Sequence, residues 1–438
     1  MRAESSSSGA GIGNPLWHPF ADMGSVEGQK LVIDRAEGIW VWDEEGNRYL
    51  DATSSLWYAN AGHGRPEVAA AVAEQMDRLD AFNLFGDFAN RPALELAERL
   101  VSLPGGGGHK VFLGSGGGDV LEGAAKIARA HFGQRGEPGR THLIGRRFGY
   151  HGTHGFGTSL GGIEANSSGW GRLVADVSTV DYDDPGALER EILRVGEDRV
   201  AAFFCEPVIG SGGVKLPPDG YLEAAADVCA RYGVLFVADS VICGFGRLGT
   251  WFGIDRWPVE PDMIALAKGI TGGALPLGAL MVRDAVAEPF FTGRSGAPVL
   301  RHGQTYSGHP VCCAAALAMI DVLERDRLIP RGRELEGDLA AALRLVEAHG
   351  LVREVRAGTG LMAGIDLTAE ALREIPGAVA GLARSCRESG VLVRPLLRGI
   401  AISPPLTIEP SEIAAIGAAI AEGLDRLAAS APRVGVVG

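Results

Sequence analysis

The chain has 438 residues, 46% of them hydrophobic and 22% charged, a composition that supports a large buried core and two or three domains. A formal net charge of −13 argues against a general nucleic-acid binder or a protein of anionic membrane surfaces, because both need basic patches. The opening MRAESSSSGAGIGNP lacks the apolar stretch of a secretory signal, and the run VCCAAALAMIDVL is shorter than the roughly 20 residues that span a bilayer.

In chain order, residues 1–15 read as a loose arm. Residues 16–70 carry GIWVWDEEGNRYLD, two β-like runs around an acidic turn, and are expected to join the C-terminal residues 323–438 in a smaller lobe. Residues 71–322 form the large domain. PALELAERLVSL spaces its leucines and alanines as a helix does. Then KVFLG, THLIG, RLVADV, VAAFFCEPV, GVLFVADSV, DMIALAK and PLGALMV alternate with helical segments. Several of these runs are apolar on both faces, as in a mostly parallel sheet covered by helices. VCCAAALAMIDVL reads as a buried helix, and PSEIAAIGAAIAEGLDRLAAS as a final amphipathic one. Six cysteines (Cys205, Cys229, Cys243, Cys312, Cys313 and Cys386) lack zinc spacing, which fits reduced thiols in a cytoplasm and offers no metal site.

In a parallel sheet, ligands collect at the carboxyl ends of strands, so the polar residues just past these runs carry the most weight. In FLGSGGGDVLEGAAKIARAHF, four glycines and a serine precede a helix expected to begin near Asp119. Converging backbone N–H groups at a helix start can hold a phosphate, and the absence of a following GKS or GKT excludes a Walker A loop. GYHGTHG offers Tyr150 as an aromatic plane, FFCEPVIGSGG offers Glu206 at a strand end, and GVLFVADSV ends on Asp239. A carboxylate there can keep a ring nitrogen protonated and make the ring an electron sink. PDMIALAKGITGG closes an apolar run on Lys268, one of only five lysines (with Lys30, Lys110, Lys126 and Lys215) among 41 basic residues. Unlike arginine, a desolvated lysine can lose its proton and attack a carbonyl. Phosphate loop, stacking ring, nitrogen-facing acid and imine-forming lysine are the parts that pyridoxal phosphate needs. A nicotinamide-dependent dehydrogenase is disfavoured, because no acidic ribose partner follows the glycine loop.

From WHPF at 17 to PPLTI at 408 the sequence resembles the class III aminotransferases, pyridoxal-phosphate enzymes of fold type I, most specifically in VADSVICGFGRLGTWF and PDMIALAKGITGGALPLGAL. The resemblance implies an α/β fold with a mostly parallel central sheet in a large domain and a smaller α+β domain from both chain ends. It implies that Asp239 contacts the ring nitrogen and Lys268 forms the Schiff base. Val241 would pack on the ring face opposite Tyr150, with Glu206 near the ring. Gly117, Gly118 and His151 join the cofactor-binding set, and Thr305 in HGQTYSGHP would reach the phosphate of a neighbouring subunit, which implies a homodimer or a tetramer built from it. Two positions depart from the family pattern: Gly118 replaces a hydroxyl residue, and the usual DEV reads Asp239-Ser240-Val241.

Ten residues before the double proline, Arg394 in GVLVRPLLRGIAISPPLTI matches a carboxylate-contacting arginine, with Arg398 as the alternative. With Trp57 and Tyr58 of SSLWYANAGHG, and with Phe20, Phe85 and Tyr150, it outlines a substrate pocket like those of ω-amino-acid and amine transaminases. The expected reaction moves an amino group from an amine or ω-amino acid to a keto acid such as pyruvate, through a Lys268 imine and pyridoxamine phosphate. Diaminopelargonic acid aminotransferase shares the flavour of WHPF and LFGDFANRPALELAERL, but Phe20 stands where that enzyme offers a tyrosine. An aminomutase or decarboxylase on the same scaffold is the other alternative.

Overall fold

A computed structural model describes residues 15–26, 28–292 and 298–430; all but the last residue of the expected N-terminal arm lies outside them. After a short helix, Met23–Val26, the described chain forms an antiparallel meander of β1 (Ile33–Glu37), β2 (Trp40–Asp43) and β3 (Arg48–Asp51). The acidic turn between β2 and β3 is organised by Asp43, whose carboxylate accepts from the backbone N–H groups of Glu45 and Asn47 and from the Tyr49 hydroxyl. On the meander, Arg35 and Arg48 lie over the rings of Trp42 and Trp40 at 3.7 and 4.1 Å.

The central sheet contains β4 (His109–Gly114), β5 (His142–Arg146), β6 (Val177–Val180), β7 (Val200–Cys205), β8 (Leu235–Asp239), β9 (Met263–Leu266) and β10 (Gly278–Arg283), in the order β4-β10-β9-β8-β7-β5-β6. Only β10 runs antiparallel to its neighbours. Its connection from β9, residues 267–277, holds a single 3-10 turn and no crossover helix, so the chain can only turn back. VAAFFC and LFVAD are buried along their whole length, as central strands covered on both faces must be.

Two sequence expectations shift. The strand expected over RLVADV forms instead at Val177–Val180, because edge strand β6 pairs only with β5 and that register begins at Leu143 opposite Val177. Val174 is drawn off to the Ser159 hydroxyl, which its backbone N–H reaches at 3.1 Å. The helix after β4 starts at Gly117, ahead of Asp119, whose carboxylate accepts from the Ser115 N–H at 3.0 Å and ties the glycine loop to the first turn. Helix Pro310–Arg325, which contains VCCAAALAMIDVL, packs against helices Pro66–Arg78 and Arg91–Ser102. All six cysteines are buried free thiols, and no helix among the described residues is long and apolar enough to cross a membrane.

Past residue 350 the chain adds β11 (Val352–Arg356), β12 (Ala363–Leu367), β13 (Val391–Leu392), β14 (Arg394–Pro395) and β15 (Gly399–Ile402). β13 pairs with β3, and the others form a sheet in the order β11-β12-β15-β14. Helix Pro410–Ala429, opened by a capping box between Glu409 and Glu412, closes the described chain.

Arg247 ties the N-terminal, central and C-terminal parts together. Fully buried, it donates to the Ser54 hydroxyl (2.9 Å), the Asn60 side-chain oxygen (3.0 Å) and the carbonyls of Leu361 (2.9 Å) and Pro404 (2.6 Å). Burial pulls its guanidinium down to about 10. Arg247→Leu should leave the two carbonyls unpaired at about 1–3 kcal/mol each, lowering the thermal unfolding midpoint by several degrees. An unchanged midpoint in calorimetry would argue that the clamp contributes nothing.

Candidate active site

The strand register lines up the polar residues that leave the sheet. Cys205 pairs with Ala238 and Asp239 pairs with Ala265, so Glu206, Asp239 and Lys268 emerge from neighbouring strands at the carboxyl edge. This is where a parallel sheet binds ligands.

Asp239 is 3% exposed. His151 Nδ1 lies 2.8 Å from Asp239 Oδ2, and the Val241 N–H donates to Oδ1 at 3.1 Å. A carboxylate only accepts, which places the His151 proton on Nδ1. The other ring nitrogen, Nε2, is buried without a partner. Glu206 is buried as well, and its two oxygens accept from the N–H groups of Tyr150 and Gly210, both at 2.9 Å. Burial, reinforced by the charge of Asp239, pushes the Glu206 carboxyl well above the usual carboxylate range. Its backbone carbonyl accepts from the buried Arg146 guanidinium, so the loop after β7 is anchored through both side chain and main chain.

Lys268 sits at φ +50°, a left-handed conformation that a side-chain-bearing residue adopts at some cost. Burial pulls its ammonium below its ordinary value, while Asp239, Glu206 and Cys243 act in the opposite direction. The result is an amine nearer to its nucleophilic form than a surface lysine. Tyr150 is half-buried, with Phe20 edge-on at 6.5 Å between ring centroids. Burial and the charge of Asp239 push its hydroxyl up, so the ring stays neutral.

The glycine loop closes onto this group. A Cβ on Gly117 would lie 2.9 Å from Val241 Cγ1, and one on Gly118 would lie 2.7 Å from His154 Nδ1. Only glycines let the helix start approach so closely. The start of helix Gly117–Gln134, the buried carboxylate of Asp239, the Tyr150 ring, Val241 and the desolvated Lys268 fit a flat, phosphorylated heteroaromatic aldehyde.

The other expected residues divide. Trp57 is buried, and packs with Val208, Ile242, Cys243 and Leu396 beside the loop that follows Asp239. Tyr58 lies over Gly273, where a Cβ would meet its ring at 2.1 Å, and its hydroxyl accepts from Ser55. Arg394 is exposed within electrostatic reach of Tyr150; burial lowers its guanidinium and Tyr150 opposes this. No hydrogen bond or ion pair among the described residues holds that guanidinium, and Arg398 is likewise exposed. No contact among the described residues joins Phe85 or Thr305 to this group. Both are exposed, and the Phe85 ring lies 3.7 Å from where a Cβ on Gly303 would sit, in a groove of about 810 Å³ lined also by Leu84, Leu300 and Ser307. Sequence reasoning did not single out His154, which lies in the same GYHGTHG segment as Tyr150 and His151. Among the described residues no cluster of His, Cys, Asp or Glu side chains is placed to hold a metal ion.

Comparison with known proteins agrees with this chemistry. The family model described as Aminotransferase class-III matches residues 23–424. The putrescine–pyruvate aminotransferase of Pseudomonas aeruginosa is 37% identical, over 94% of this chain and 94% of that protein. The omega-aminotransferase of Caulobacter vibrioides is 35% identical, over 92% of this chain and 96% of its own length. Among solved structures, an amine transaminase from an uncultivated Pseudomonas species in its PLP-bound form superposes with a TM-score of 0.90 at 38% identity, covering 95% of this chain and 99% of that one. The chain therefore belongs to the class III aminotransferases, fold type I enzymes that carry out transamination with pyridoxal phosphate.

Proposed function

We propose that this protein transfers the amino group of a primary amine or ω-amino acid to a keto acid such as pyruvate. The observation that carries the reading is the meeting of a buried Asp239, a desolvated Lys268 and the Tyr150 ring at one sheet edge, in a chain whose relatives act on putrescine and other ω-amino donors. When bound, pyridoxal phosphate supplies the carbonyl that takes up the amino group and the electron sink for the charge left when the donor carbon loses its proton. The Gly117 and Gly118 N–H groups and the helix start would hold the phosphate. Tyr150 and Val241 would cover the two ring faces, and Asp239, oriented by His151, would keep a proton on the ring nitrogen. The Lys268 amine would move the proton off the donor carbon and return it one step later.

Arg394 would pair with the carboxylate of the keto acid, a role supported by its open guanidinium beside Tyr150. Trp57 and Phe20 would shape the donor side. Phe85 and Thr305, both exposed, would face a second copy of the chain in a homodimer in which each chain completes its partner's site. We read residues 16–70 and 323–438 as one small domain against a large domain of 71–322, and the six buried thiols as those of a cytoplasmic enzyme.

Borohydride reduction of the loaded enzyme should attach the cofactor to the peptide containing Lys268, and Lys268→Ala should bind cofactor yet lose about 10²–10⁴-fold or more in transamination rate. A labelled peptide elsewhere would remove Lys268 from the mechanism. For Arg394→Ala, stopped-flow separation of the half-reactions should show pyruvate amination slowed by about 10-fold or more, because a hydrogen bond to a charged group contributes about 1.5–3 kcal/mol. Deamination of a carboxylate-free amine should stay near normal; equal loss in both would mark Arg394 as structural. If the sites are shared, dilution to monomers followed by sedimentation should release cofactor, whereas fully loaded monomers would contradict a shared site.

A further inference from the structure

Gly118 stands at the second residue of the phosphate-proximal helix, and the space its missing side chain leaves is filled by an imidazole. His154 Nδ1 lies 2.7 Å from the ideal Cβ position of Gly118 and Cε1 lies 3.1 Å from it, while Gly152 Cα approaches the same point at 3.7 Å. The close approach is mutual, since a Cβ on Gly152 would lie 2.6 Å from Gly118 Cα. The two segments are thus built to bring the His154 ring against the first turn of helix Gly117–Gln134. Among the described residues the ring, half-exposed, has one polar partner: Nε2 lies 3.3 Å from Asp119 Oδ1. Nδ1 is left facing the loop.

Asp119 poses an electrostatic problem. A carboxylate one residue past the glycines, in the first turn of the helix, is a like charge beside a phosphate and would weaken its binding unless neutralised. An imidazole has a nitrogen on each side of its ring, and the observed orientation sets one against Asp119 and the other toward the loop, where a ring protonated on both could donate to two anions. We propose that His154 bridges Asp119 and the cofactor phosphate, supplying from Nδ1 the side-chain hydrogen bond that Gly118 cannot make. This deepens the reading of the glycine loop as the phosphate site and rests on it. His154 is a binding residue with no part in the proton transfers at Lys268.

The test uses apoenzyme titrated with pyridoxal phosphate and, separately, with pyridoxal, which lacks the phosphate, each followed by the quenching of intrinsic tryptophan fluorescence. His154→Ala should raise the Kd for pyridoxal phosphate by roughly tenfold or more, the size of one charge-assisted hydrogen bond, and leave the Kd for pyridoxal within about twofold. Gly118→Ser alone should also weaken the phosphorylated ligand, because its Cβ meets the ring. Combined with His154→Ala it should recover much of the lost affinity, a hydroxyl now standing where the imidazole was. Equal weakening of both ligands by His154→Ala, or an unchanged preference for the phosphorylated one, would overturn the proposal. Gly117→Val separates the two levels: it should abolish the preference for pyridoxal phosphate if the loop holds the phosphate. If that preference survives, the loop reading falls and His154 with it. If it is lost while His154→Ala keeps wild-type preference, only the role of His154 falls.

Discussion

The site turns on one buried carboxylate. Asp239 sits at the end of a strand apolar on both faces, where an ionised oxygen pair is tolerated only if its hydrogen bonds are met. His151 meets one oxygen and the Val241 N–H the other, and both partners come from segments that also carry Tyr150 and Val241 to the sheet edge. His151 follows Tyr150 directly, so orienting Asp239 and presenting the aromatic plane are one structural act. Val241 is held two residues on by the same carboxylate. The cost of burying this charge is met by groups that are themselves part of the site.

The surrounding electrostatics follow from that placement. Asp239 raises the Glu206 carboxyl beyond what burial does alone, and Glu206 in turn fixes the backbone at Tyr150 and Gly210. Lys268 experiences both acids, yet burial outweighs them and its ammonium is lowered. A lysine kept in solvent beside two acids would be held charged. Here burial at the strand end outweighs the two acids, so the amine is desolvated, on a backbone in the left-handed region.

Outside the chemistry, two ties join the N-terminal and C-terminal segments to each other and to the central part. β3 pairs with β13, and Arg247 gathers oxygens from Ser54, Asn60, Leu361 and Pro404, so the two chain ends close over the central sheet. That closure brings Arg394, at the start of β14, to the side of Tyr150. Arg394 and Tyr150 are separated by most of the chain and meet only because the C-terminal sheet is docked.

Much of this was legible in the sequence because local chemistry carried it. Fully apolar strands such as VAAFFC announce a covered parallel sheet, a lysine is conspicuous in a chain that otherwise uses arginine, and a carboxylate ending LFVAD has few reasons to be there other than a ligand. Other features depended on pairing or on contacts across the fold. The start of β6 is set by its register with β5 and not by the apolar run RLVADV, since an edge strand forms where its single neighbour offers hydrogen bonds. Phe85 and Gly303 sit in unrelated stretches of sequence and line one groove only once the chain has folded. The glycine at 118 was readable as a departure from the family pattern, but a missing side chain leaves no mark of what fills its place. That an imidazole from residue 154 does so was decided by the tertiary approach of two glycines, Gly118 and Gly152, whose lack of Cβ atoms lets the segments touch.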